Sequence, residues 1–169
     1  MNKSKILHIA RHAKSSWDYK NVSDFDRPLK ERGIHDAHEM AGKMKMKHPL
    51  PELIITSPAN RAFHTALIFS RVIELPFNQF HIDPDIYGSD VDGLFQKIKS
   101  LDDKYCCVMI FGHNPEFSDL VNFLTGDSVD EVPTCGVMSI FYDTEKWQEI
   151  SRGKVIKVNF DYPKKKTEV

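Results

Sequence analysis

Short apolar runs rich in β-branched residues alternate along this chain with longer stretches whose apolar positions recur every three or four residues. The first pattern is that of buried strands, the second that of amphipathic helices. Strands are expected over residues 5–10, 53–56, 80–82, 105–111, 137–142 and 154–160. After an irregular polar stretch through Asp26, Ile34, Ala37, Ala41 and Met44 fall on one face of a helix. Ser57 and Pro58 read as an N-cap and first helical residue, opening a helix to about Ile73, and Asn114 and Pro115 repeat that signature further on. Ser89 or Asp90 caps a helix reaching about Ser100. Such alternation predicts an α/β three-layer sandwich, with helices flanking a mostly parallel sheet that carries at least one antiparallel strand at an edge.

Composition narrows the picture. With 169 residues, 41% of them hydrophobic, residues 1–162 are expected to form one domain, followed by a mobile basic tail at 163–169 with three consecutive lysines. The 23 basic and 24 acidic residues nearly cancel, so no global field holds the chain on nucleic acid or an anionic membrane. Any anion must therefore be bound locally. His8 and Arg11 interrupt the opening apolar run before it reaches the length of a leader-peptide core, and no segment is long enough to span a bilayer. Three cysteines, two of them adjacent, read as reduced thiols in a cytoplasmic protein, which is expected to be a monomer.

In an open α/β sheet, ligands bind beyond the carboxyl ends of the strands. Arg11 and His12 follow the first strand, Arg61 lies early in the helix after the second, and His113 follows the fourth. Each has a plain structural reading: an Arg-His dipeptide is a weak signal alone, Arg61 fits a helix surface, and His113 fits a turn. Their joint placement after three strands points instead to a site for a dense anion, because guanidinium forks match phosphate oxygens. Helix N-termini at Ser57 and Asn114 add donors aimed the same way. His35 and His38 lie three apart on a helix without a carboxylate pair at ligand spacing, so no metal is expected. Walker A, CxxC and GxSxG patterns are absent from the sequence.

Four blocks carry a family resemblance. LHIARHAKSSWD, DFDRPLKERG, SPANRAFHTA and FGHNPEFSDL resemble the signatures of the histidine phosphatases, in particular the short SixA-like phosphohistidine phosphatases, over about residues 6–124. The resemblance implies a phosphoglycerate mutase-like fold and no cofactor. It also implies that His12 is the nucleophile and that Arg11, Arg61 and His113 surround the phosphate. In-line attack by a neutral His12 would give a phosphohistidine that water hydrolyses, with charge met by Arg11, Arg61 and a protonated His113. Ser15, Ser16 and Asn114 are nominated as further phosphate donors, while Arg27 serves equally well as a loop anchor.

The acid is where the chain departs from the wider superfamily. Tyr87 stands where mutase-like members carry an acidic residue, and Asn114 stands where acid-phosphatase-like members carry an aspartate. Asp83, Asp85 and Glu116 lie near the right blocks but at no matching position. An imidazole leaving group, with a conjugate-acid pKa of about 6.5, departs with far less help than an alkoxide. The expected substrate is therefore phosphohistidine on a partner protein. A small phosphorylated metabolite cleaved with Asp85 or Glu116 as acid, and a phosphoprotein-binding module without turnover, are the alternatives.

Overall fold

The central apolar runs, 5–11, 53–56, 107–112 and 137–142, form strands largely buried on both faces, and the periodic segments form helices because each has one apolar side to bury. The computed structural model describes residues 4–47 and 49–163, so residues 164–169 of the expected tail lie outside the described residues. The strands are β1 (Lys5–Arg11), β2 (Leu53–Thr56), β3 (Phe80–Ile82), β4 (Cys107–Gly112), β5 (Val137–Tyr142) and β6 (Val155–Asp161). The helices are α1 (Glu31–Lys47), α2 (Asn60–Val72), α3 (Val91–Lys99) and α4 (Glu116–Thr125). One sheet has the order β3-β2-β4-β1-β5-β6, parallel from β3 to β1 and antiparallel at β5 and β6.

Alternation along the central strands splits the core into two layers. Leu7, Ile9, Val108 and Ile110 pack with α3 and α4 on one face, through Leu94, Ile98, Phe117 and Leu120. Ala10, Met109 and Phe111 pack with α1 and α2 on the other, through Ala37, Met40, Met44 and Phe69. The α1 face is the one its sequence periodicity predicts, with Met40 added and Ile34 only half-buried. Cys106, Cys107 and Cys135 are free thiols. Among the described residues no helix is long and apolar enough to cross a membrane.

Several element starts differ from the sequence reading, that of β6 by a single residue. Ser57 is not the α2 cap: its N–H still donates to the Phe111 carbonyl (3.0 Å), which keeps it in the sheet, and Ala59 takes the cap position. Pro115 takes the α4 cap position after a cis Asn114–Pro115 bond, so Asn114 sits one residue outside. Tyr105 precedes β4 because its carbonyl is taken by Lys5 Nζ (3.0 Å) and Trp147 Nε1 (2.9 Å).

The segment after β1 is tied to the start of α1. Ser16 N–H donates to the Pro28 carbonyl and Lys30 N–H to the Lys14 carbonyl, both at 2.8 Å, and Ser15 bridges to Leu29. Residues 17–27 therefore leave and return at one point, as a loop closed at its neck. Gly33 permits this closeness, since a Cβ there would fall on the Lys14 backbone oxygen and nitrogen. Backbone cannot yield as a side-chain tip does, so Gly33→Ala is expected to lower stability by about 1–3 kcal/mol, measured by urea unfolding. An unchanged midpoint would show that α1 is not seated on this loop.

Candidate active site

The β1–β4 register brings the two histidines together. Arg11 pairs with Gly112, and pairing continues one step past the strands, with His12 N–H donating to the Gly112 carbonyl at 3.1 Å. His12 and His113 thus emerge side by side, their ring centroids 5.3 Å apart. Beyond the end of β2, Ser57 Oγ lies 2.7 Å from His113 Nε2. Arg61 reaches the same place from the first turn of α2, and both histidines and Arg61 are buried.

His12 is set up as a nucleophile. Its Nδ1 lies 2.7 Å from the Ala13 carbonyl, which accepts only from N–H, so the proton sits on Nδ1 and the lone pair on Nε2. Burial lowers the His12 pKa, the Ala13 carbonyl opposes, and the charges of His113, Arg61 and Arg11 lower it again, to about 3. Burial and the Arg61 charge lower His113 to about 4, with Asp24 opposing. His113 is thus neutral near pH 7 in this structure: beside two guanidiniums a third buried cation is unfavourable unless an anion is bound. Ser57 Oγ accepts the Ala59 N–H (3.3 Å) and also bonds His113 Nε2 (2.7 Å), so of the two His113 ring nitrogens Nδ1 is the one without a protein partner.

Unpartnered buried atoms mark where a ligand would sit. Among the described residues four buried side-chain nitrogens or oxygens lack a hydrogen-bond partner, and three belong here: Arg11 Nε, Arg61 Nε and His113 Nδ1. Both arginine nitrogens are N–H donors, and His113 Nδ1 is one when the ring carries a proton there. Buried donors without partners are costly in a folded protein, and three at one point beside a nucleophilic nitrogen form a seat for an oxyanion. Two guanidiniums make the same place repulsive to a metal cation.

Most of the remaining nominated residues have protein partners, Ser15 and Ser16 as acceptors only. Ser15 Oγ accepts from Arg27 Nη1 (2.8 Å) and Ser16 Oγ from the Asp18 N–H (3.1 Å). Arg27 also bonds Asp24 Oδ1 through Nε (3.1 Å) and stacks on Trp17 at 3.5 Å, as a loop anchor does. Asn114 accepts from the Ser118 N–H (3.2 Å) and hydroxyl (2.8 Å) and donates to the Val132 carbonyl (2.9 Å), which ties it to α4 and to the loop after it. Asp83 and Asp85 both pair with Lys97, at 2.8 and 3.1 Å, and the Asp85 side chain is 78% exposed. Glu116 is half-buried in the first turn of α4. His35 does have carboxylates near it, since its ring nitrogen and oxygens of Asp36 and Glu39 lie within 4.8 Å of one another. His38 is not in that group, which is on α1.

Residues the sequence reading missed surround the arginines. Asp24 takes Arg61 Nη1 on its carbonyl (2.6 Å) and Nη2 on its carboxylate (3.1 Å), and Glu131 takes Arg11 Nη1 at 2.8 Å. Tyr87 donates to Asp24 Oδ2 (2.9 Å) and sets its ring edge-on to His113, with centroids 5.6 Å apart. Asp24 lies in the DFDRP block, yet an acidic residue in a loop gives no sign of which arginine it will hold. Burial pushes its carboxyl up, while the Tyr87 hydrogen bond and the Arg61 and Arg27 charges outweigh burial and hold it below its ordinary value.

The sequence profile of the histidine phosphatase superfamily (branch 1) matches residues 7–105. The chain belongs to the histidine phosphatase superfamily. That match contains Arg11, His12 and Arg61, whereas His113 lies beyond it and is placed by the geometry. The chain is 29% identical over 154 residues to an uncharacterized chloroplastic protein of Arabidopsis thaliana, covering 86% of this chain and 70% of that one. It shares the fold of a protein named phosphohistidine phosphatase SixA from Nakamurella multipartitia, with a TM-score of 0.81 at 18% identity, covering 95% and 96% of the two chains. It also shares the fold of the protein histidine phosphatase SixA complexed with tungstate, at 0.75 and 22% identity, covering 93% and 94%. This is the phosphoglycerate mutase-like α/β fold, and family and neighbours together support a phosphatase.

The two histidines link this site to stability. Their folded pKa values of about 3 and about 4 lie below the 6.5 of an exposed histidine, so the unfolded chain takes up protons first as pH falls. Stability is complete above pH 6.5 and declines below it. At pH 5 each histidine is expected to have withdrawn about 2 kcal/mol relative to pH 7, read by urea unfolding, and His113→Asn should flatten the dependence by about that amount. An equally steep dependence in the variant would show that His113 titrates as freely folded as unfolded.

Proposed function

We propose that this chain is a cytoplasmic, metal-independent phosphohistidine phosphatase acting on a phosphorylated protein. His12 Nε2 attacks phosphorus in line while the P–N bond to the substrate imidazole breaks. If that imidazole carries a proton on its other nitrogen, it departs neutral and needs no acid. Water then attacks the phosphorus on His12, releasing phosphate and restoring the neutral ring. Arg11 Nε, Arg61 Nε and His113 Nδ1 are the donors for the three equatorial oxygens. A dianion there favours the charged form of His113 and draws its pKa upward from about 4.

The observation that carries this reading is the position of Tyr87. Its ring lies against His113, where a related enzyme would need an acid, and its hydroxyl proton is committed to Asp24. The Asp24 hydrogen bond, burial and the Asp24 charge raise the Tyr87 pKa, which makes it a poorer proton donor still. A leaving group that needs no protonation suits such a site. The tungstate held by the SixA relative is an oxyanion and supports the same use of this pocket. The three free thiols support the cytoplasmic placement.

The test is phosphate release, with chelator present, from a phosphohistidine-bearing carrier domain and from a panel of alkyl phosphates. Release from phosphohistidine that falls at least about a thousandfold in His12→Ala, with little activity on the esters, is expected. Fast ester hydrolysis that depends on Glu116 would replace this reading with a phosphomonoesterase, and loss of activity to the chelator would overturn the metal-independent mechanism. Tungstate binding without release from any substrate would leave a phosphoprotein-binding module.

A further inference from the structure

Both site arginines are held by one edge and left open at the other. Arg61 gives Nη1 and Nη2 to Asp24, while its Nε, buried, has no partner. Arg11 gives Nη1 to Glu131 and to the Val132 carbonyl (2.9 Å), and again Nε is buried without a partner. A guanidinium is planar with its donors in a fixed fork, so fixing the Nη end also fixes where the Nε edge points. The two carboxylates belong to different loops, one in the excursion between β1 and α1 and the other between α4 and β5. The same solution is therefore reached twice, from unrelated parts of the chain.

We infer that Asp24 and Glu131 are the positioning residues of this site, each holding the far edge of one arginine so that both Nε edges meet the phosphate. The inference rests on the oxyanion reading of the pocket. Tyr87 supports Asp24 through its hydroxyl, and Arg27 binds the other carboxylate oxygen, so Asp24 is itself fixed from two sides. Asp24 is held as a carboxylate and offers no proton to the reaction. Asp24 lies below the ordinary carboxylate range and Glu131 is bonded to a guanidinium at the rim. A flexible arginine would lose side-chain entropy on every binding event, and anchoring removes that cost in advance.

A rival role for Asp24 has the opposite sign. Its carboxylate is an anion bound to Arg61, and in that role it is an internal competitor that phosphate must displace. The geometry favours positioning, because Asp24 engages the Nη atoms and leaves the unpartnered donor at Nε. The side chains of Asp24 and Glu131 are 47% and 65% exposed, so truncating either leaves the core intact.

The experiment is calorimetric titration of the full chain with tungstate, which needs no turnover. Asp24→Ala is expected to weaken binding about tenfold in the wild-type background and less than about twofold when Arg61→Lys is already present, since lysine keeps the charge but has no fork to orient. Glu131→Ala should behave likewise against Arg11→Lys, and the unfolding midpoints are recorded beside each titration. Equal losses in both backgrounds, no loss, or tighter binding in Asp24→Ala would each overturn positioning, the last in favour of competition. Wild-type protein that binds no tungstate would overturn the oxyanion reading and this inference together, whereas unchanged affinity in the alanine variants removes this inference alone.

Discussion

The parallel pairing of β1 on β4 is the constraint from which the site follows. Each strand is buried on both faces, so its register is set by two packed layers and cannot slip by one residue without moving Leu7 and Ile9 into the other layer. Because Arg11 stands opposite Gly112, the next residue of each strand is a histidine, and the hydrogen bond from His12 N–H to the Gly112 carbonyl carries the pairing into the site. A nucleophile and its neighbouring donor are thus held by backbone. On the other side of β4, the same extension at Ser57 fixes the hydroxyl that bonds His113 Nε2.

Burying two histidines and two arginines together raises an electrostatic problem, and the molecule solves it in two ways. The histidines are kept neutral, at pKa values of about 3 and about 4, because imidazole can lose its charge. The arginines cannot, so each is met by a carboxylate at the protein surface: Asp24 for Arg61 and Glu131 for Arg11. The balance is partial by design of the contacts, since the Nε donors stay open. That leaves a pocket positive enough for a dianion, yet without a run of unpaired buried cations.

The chemistry of the leaving group is tied to the same contacts. Tyr87 packs on His113 and donates its proton to Asp24, so a residue at the rim supports an arginine's anchor. The loop that brings Asp24 over the site is closed at its neck by Lys14, Ser16, Pro28 and Lys30 and seated on Gly33.

Local signals were enough for the strands, for the apolar face of α1, and for the placement of Arg11, His12, Arg61 and His113 at strand ends, because periodicity and strand-end position are written in consecutive residues. The blocks around them were specific enough to indicate the family. Tertiary structure decided what depends on contacts between distant segments. Ser57 stays in the sheet because Phe111 binds its N–H, Asn114 is consumed by Ser118 and Val132, and Asp85 turns to Lys97. His113 is neutral because of burial beside Arg61, a property no single residue carries. Asp24 and Glu131 were invisible for the same reason: a carboxylate in a loop becomes an arginine's anchor only when folding brings together residues 37 apart in one case and 120 in the other.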